Sequence, residues 1–212
     1  MSRPYHHGNL REALVTGGLD LARTGGPGAV VLRAVSRRAG VSHNAAYRHF
    51  AGHEDLVAAV AERCMDRLGQ LMISRSAAVD LPDEVAAALA RLEAIGRAYV
   101  DFALTEPGWF RTAFCGSAPA PGAHAAGKGQ DGAQAVGDRP RADPYAILSA
   151  HLDELVRVGA FPADHRPGAE YAAWSAVHGL SDLLVEGPLR GLPDAELRVA
   201  IDAVLSTVAR GL

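Results

Sequence analysis

Apolar positions recur along this chain at intervals of three and four, and that spacing predicts helix almost throughout. From Asn9 to Arg23, Leu10, Leu14 and Leu21 share one side, with Glu12 and Asp20 on the other. Asn9 can cap the start, and Gly25-Gly26-Pro27-Gly28 stops the helix. Inside it, Gly17 and Gly18 each cost about 1 kcal/mol relative to alanine. Leu32 to Ala39 reads as a short helix with Leu32, Val35 and Ala39 on one side, ended by Gly40. Ser42 opens a second short helix through Phe50, with Ala45, Ala46 and Phe50 facing in. A long helix then runs from His53 to about Ala78, carrying Leu56, Val60, Cys64, Leu68, Leu71 and Met72.

Pro82 opens a further helix through Tyr99 and Phe102 to about Thr105, and Pro107 starts a short one holding Trp109, Phe110 and Phe114. Residues 115–142 contain six glycines, three prolines and no aromatic, which predicts a mobile linker. Helices resume at about 143–158, 166–185 and 193–210. No stretch alternates convincingly as a strand would, and no internal repeat is visible. The fold class read from this pattern is all-α.

Composition sharpens the picture by exclusion. A chain that is 49% hydrophobic and 21% charged is too apolar for intrinsic disorder. Cys64 and Cys115 cannot make a disulfide framework, so a reducing, cytoplasmic setting is expected. No apolar run nears the roughly 18 residues of a membrane helix, and polar Met1–Leu10 does not read as a signal peptide. The net charge of −3 is unevenly spread. Residues 1–53 hold seven arginines against Glu12 and Asp20, a net of +5, which leaves −8 for the remainder. A basic head on an acidic body suggests that one end meets a polyanion.

The candidate chemistry lies in the same head. Gly40 can take the positive φ of a tight turn, small Ala39 lets two helices approach, and Val41 plugs the space between them. Ser42 can cap the second helix by accepting a backbone N–H. This is a helix-turn-helix arrangement, whose second helix enters the DNA major groove by its N-terminal residues. His43, Asn44, Ala45 and Arg48 suit base edges: asparagine for adenine, arginine for guanine, alanine for a thymine methyl. Tyr47, Arg48 and His49 have donors for phosphate.

Taken together, Arg33-x-Val35-x3-Ala39-Gly40-Val41-Ser42, Tyr47-x-His49-Phe50 and Leu56 resemble the DNA-binding domain of the TetR family of transcriptional regulators. The opening Tyr5-His6-His7-Gly8-Asn9-Leu10-Arg11 and Trp174-x3-His178-Gly179 resemble a subgroup with a C-terminal Trp-x3-His-Gly signature. Glu106-Pro107-x-Trp109-Phe110-Arg111 is similar to the family's short sixth helix. The resemblance implies about nine helices: a three-helix DNA-binding domain over 1–53, then a ligand-binding and dimerisation domain over 54–212. It implies a homodimeric repressor on double-stranded operator DNA, released by a small-molecule effector, with no cofactor and no membrane partner. The residues it assigns to DNA are Arg33, Ser42, His43, Asn44, Ala45, Tyr47, Arg48, His49 and His53.

Three positions depart from the family. Val31 replaces a usual serine or threonine and so supplies no hydroxyl cap. His53 replaces a usual lysine, and a histidine's charge changes in the physiological pH range, so operator binding should be more pH-sensitive than a lysine version. Ala46 replaces a larger apolar residue.

In the C-terminal half, Tyr171, Trp174 and His178 on one helix, with Leu197, Ile201, Val204, Leu205 and Val208 on the last, form stripes suited to a four-helix dimer interface. The same stripes could face the monomer's own core. Met72, Tyr99, Phe102, Trp109, Phe110, Phe114 and Tyr145 are the candidates for a cavity that takes an apolar or aromatic ligand, or for ordinary core. No zinc-like Cys/His spacing, phosphate loop or nucleophile elbow appears, so neither metal nor catalytic residues are expected. The competing reading is a helical small-molecule-binding or cysteine redox-sensing protein with weak operator binding, supported by Val31, Ala46 and His53.

Overall fold

The computed structural model describes residues 10–116 and 141–211, and every regular element among them is helical. In chain order the α-helices are α1 (Leu10–Gly25), α2 (Leu32–Arg38), which follows a 3-10 turn at Pro27–Ala29, α3 (His43–Tyr47), α4 (His53–Ala77), α5 (Glu84–Thr105) and α6 (Pro107–Ala113). After residues 117–140, which lie outside the described residues together with most of the expected linker, come α7 (Pro144–Arg157), α8 (Ala169–Val185) and α9 (Asp194–Gly211). The expected all-α fold of about nine helices therefore holds among the described residues. Helix starts differ locally from the sequence expectation. Asp83 Oδ1 accepts the N–H of Ala86 at 2.7 Å, so α5 begins after this cap and not at Pro82. Gly168 has a φ of +81°, so α8 cannot extend back to Arg166.

The helices gather into two compact units. The described part of the first comprises residues 10–64 and 106–116. Leu14, Val35, Leu56 and Val60 are fully buried in it. Two glycines set its closest approaches. A Cβ at Gly18 would lie 2.5 Å from Val60 Cγ2, so α1 meets α4 only because that side chain is missing. A Cβ at Gly108 would lie 2.2 Å from the carbonyl oxygens of both Ala22 and Arg23, so α6 seats its backbone directly on the end of α1. Trp109 locks this joint. Its indole N–H donates to the Leu19 carbonyl at 2.8 Å, and the Arg23 guanidinium lies 5.1 Å from the ring. Arg23 also donates to both carboxylate oxygens of Glu106, at 2.7 and 2.5 Å.

The described part of the second unit comprises residues 65–105 and 141–211, with α5 packed against α7, α8 and α9. Arg166 ties α7 to α8 by donating to Asp153 at 2.7 Å, to Glu170 at 2.8 Å and to the Ser149 hydroxyl at 2.8 Å. Burial pushes the Glu170 carboxyl up, but bonds from the backbone, Arg166 and Ser149 outweigh it and hold the group below its usual value. At the start of α7, Ala142 is buried, and its N–H donates to Asp66 Oδ1 at 2.9 Å. Gly69 makes room for it: a Cβ there would sit 2.4 Å from the Ala142 carbonyl oxygen. The tail of the expected mobile linker is thus pinned at Ala142. No helix among the described residues is long and apolar enough to cross a membrane.

Candidate nucleic-acid interface and internal cavity

The turn between α2 and α3 forms as its residues dictate. Gly40 has a φ of +68°, and the Val41 N–H closes the turn onto the Ser36 carbonyl at 3.0 Å. Ser42 Oγ accepts the Ala45 N–H at 3.2 Å and caps α3. Ala46 is fully buried and Phe50 nearly so, which anchors α3 by its inner face. The opposite face is left to solvent: Ser42, His43, Asn44, Tyr47, Arg48 and His49 are all exposed, and Ala45 is half-buried. The His43 and Tyr47 rings meet edge-on at 4.8 Å. Arg33, on α2, and His53, the first residue of α4, are exposed as well. Val31 sits at the cap position of α2 with extended backbone and no side-chain bond to the helix, so the amides there lack the expected hydroxyl.

Six arginines of this unit divide into two sets. Arg23, Arg38 and Arg63 are neutralised by Glu106, Asp20 and Glu12 respectively. Arg33, Arg37 and Arg48 are exposed and make no ion pair among the described residues. Arg11 covers the Phe50 ring, 5.2 Å from its centroid. Arg33, Arg37 and Arg48 therefore lie on α2 and just after α3, beside the exposed polar face. Sequence reasoning missed Arg37. Its place one turn after Arg33 on α2 was the available signal.

The second unit contains an apolar cavity of about 40 Å³. Of the seven residues expected to line a ligand cavity, Met72 and Tyr99 are among the walls of this one. Phe102 and Tyr145 belong to the same unit but are not among its walls. Trp109, Phe110 and Phe114 belong to the first unit, where Trp109 and Phe110 are buried. The Trp109 indole serves the α1–α6 joint, where it finds its acceptor at Leu19, and the Phe110 and Phe114 rings pack on each other with centroids 5.1 Å apart. Burial raises the Tyr99 hydroxyl well above its usual value, and it shares a hydrogen bond with His178 Nδ1 at 2.8 Å. Desolvation lowers His178 below the ordinary histidine value, with nearby Asp182 opposing it.

The residues expected at a dimer interface also separate. Ile201 and Leu205 are only 7% and 5% exposed, so they belong to the chain's own core and are not open to a partner. Trp174, Leu205 and Val208 line the cavity. His178, Leu197 and Val204 are half-buried, and Tyr171 is 71% exposed. The outward apolar positions are different ones: Ala172, Leu183, Val199 and Ala203 are exposed, and Gly179 has no atom within 4 Å of where its Cβ would stand. Cys64 is fully buried and Cys115 is half-buried.

Two family models match the chain. Residues 14–60 match the model of bacterial regulatory proteins of the tetR family, and residues 92–208 match the tetracyclin repressor-like C-terminal domain. The chain belongs to the TetR family. The family's fold is shared by solved structures across the whole length. A protein of unknown function from Rhodococcus sp. RHA1 is 27% identical, with 100% of this chain and 99% of that one covered and a TM-score of 0.64. A TetR variant from Acinetobacter baumannii AYE, solved in complex with minocycline, is 16% identical over 98% and 96% of the two chains, TM-score 0.60. A TetR-family transcriptional regulator from Streptomyces coelicolor is 20% identical over 93% and 98%, TM-score 0.58. No curated protein matches the chain significantly. As a TetR-family member the chain has the fold of a DNA-binding transcription regulator, and the α2–turn–α3 segment is its helix-turn-helix.

Proposed function

We propose that this TetR-family protein is a homodimeric repressor that grips operator DNA through α3 and releases it when a small apolar molecule occupies the second unit. The division of charge carries the DNA-binding part. Arg33, Arg37 and Arg48 keep their full charge for phosphate beside His43, Asn44 and Tyr47, whereas Arg23, Arg38 and Arg63 are spent on internal acids. In this reading residues 1–53 bind DNA and 54–212 bind ligand and partner. A second copy fits the outward apolar positions Ala172, Gly179 and Leu183 on α8 with Val199 and Ala203 on α9. Two recognition helices then address half-sites one helical turn apart. The complex of a family member with minocycline supports a ligand role for the helical unit.

The deciding experiment titrates purified protein onto the DNA upstream of its own gene and onto a scrambled copy, across a salt series. Preference for the upstream fragment with an even number of protomers at saturation supports the reading. So does weakening by a compact apolar compound. Equal, weak binding to both fragments, or a monomer by sedimentation at working concentration, overturns it.

A further inference from the structure

We infer that compact, uncharged apolar molecules reach the cavity through the seam between α5 and α9, past the side chain of Leu205. This rests on reading that cavity as the ligand site. Outside the seam lies a surface groove of about 620 Å³, and it shares Glu93, Leu205 and Ala209 with the cavity of about 40 Å³. The cavity is itself partly open, and the seam where it meets the groove is about one side chain thick, with Leu205 the buried member of that seam. Leu205 is only 5% exposed. It rests on a place where α5 has no side chain: a Cβ at Gly96 would lie 2.5 Å from Leu205 Cδ2. Neighbouring Ala209 is too short to take over if the leucine swings away.

The outside of the seam is closed by charge. Arg97 donates to Glu93 at 2.8 Å on its own helix and to Asp202 across on α9. These side chains are 42% to 58% exposed, and ion pairs of that kind contribute little, so the closure is weak. The wall formed by α5 and α8 is firmer. Tyr99 packs edge-on against Trp174 with centroids 5.4 Å apart and is bonded to His178. The lining also sets the class of visitor. Glu93 is its one ionisable carboxylate and is held by Arg97, while Tyr99 already shares its hydroxyl with His178. An ion entering would lose its water with no partner to replace it.

Xenon is the probe, because apolar cavities stay dry and take it up. Binding and exchange rate are measured by xenon NMR on the full-length chain and on three variants. Asp202→Asn removes the outer pair at an exposed site and should speed exchange several-fold with little change in affinity. Leu205→Ala should speed it further. Leu148→Ala enlarges the cavity from α7 and should strengthen binding with exchange unchanged. The route is overturned, with the cavity standing, if Leu148→Ala speeds exchange as much as Leu205→Ala while Asp202→Asn does nothing. If none of the four proteins binds xenon, the cavity reading falls and the route with it.

Discussion

Gly17 and Gly18 are adjacent in one helix, yet replacing each by alanine should have opposite effects. The gain common to both is helical: alanine is favoured over glycine by about 1 kcal/mol in a helix interior. At Gly17 the new methyl would stand 3.6 Å from Val35 Cγ1, an ordinary van der Waals contact, so the gain is kept. Gly17→Ala should stabilise by about 0.5–1 kcal/mol. At Gly18 the methyl would stand 2.5 Å from Val60 Cγ2. Valine is stiff about its χ1 and Val60 is fully buried, so α1 itself must move. Overpacking of this kind costs about 1–3 kcal/mol, which leaves Gly18→Ala destabilised by about 0–2 kcal/mol after the helical gain. The two variants should differ by roughly 2 kcal/mol. Urea unfolding reads the difference as opposite shifts of the midpoint at constant slope. A Trp174→Phe background leaves Trp109, which is bonded to α1, as the sole tryptophan reporting on the first unit. Equal shifts in the same direction would refute the argument, since propensity alone would then govern both sites.

The other expectations are briefer. Gly108→Ala sets a methyl against two carbonyl oxygens that cannot swing away, and should cost at least about 3 kcal/mol and quench the Trp109 signature. Removing Arg33, Arg37 or Arg48 should each lower the slope of log affinity against log salt by about 0.9 on operator DNA. Arg38→Ala, which breaks a pair with Asp20, should leave that slope alone, and equal slopes for all four variants would count against the charge division. Because His178 is depressed in the folded state, its contribution is complete above the unfolded value of about 6.5 and is lost as pH falls through the lower folded value. His178→Gln should therefore flatten the decline in urea midpoint between pH 7 and 5, and identical pH profiles would falsify the assignment.

What the sequence made legible was local. Gly40, Ser42 and the apolar residues of α2 and α3 act within a few positions of themselves, so the turn, the cap and the exposed reading face follow from residue types in order. The division of the arginines was not legible. It depends on Asp20, Glu12 and Glu106, which lie 18, 51 and 83 positions from their partners. Trp109 misled for the same reason, because its acceptor at Leu19 is 90 positions away. The last helix shows a different limit. Apolar residues occur on more than one side of α9, and periodicity cannot say which side meets the chain's own core. Packing decides: Ile201 and Leu205 go inward, leaving Val199 and Ala203 outside.

The bond from Ala142 to Asp66, backed by the missing side chain at Gly69, works as a hem. It fixes where α7 begins by a contact within the second unit and not by the number of residues that precede it. Lengthening a connecting segment is cheap, at about 0.6 kcal/mol per doubling. A reporter tag or peptide spliced in upstream of Arg141 should thus leave α7 in register and Leu148 in the cavity wall. Length can therefore vary at this point with the cavity wall unchanged.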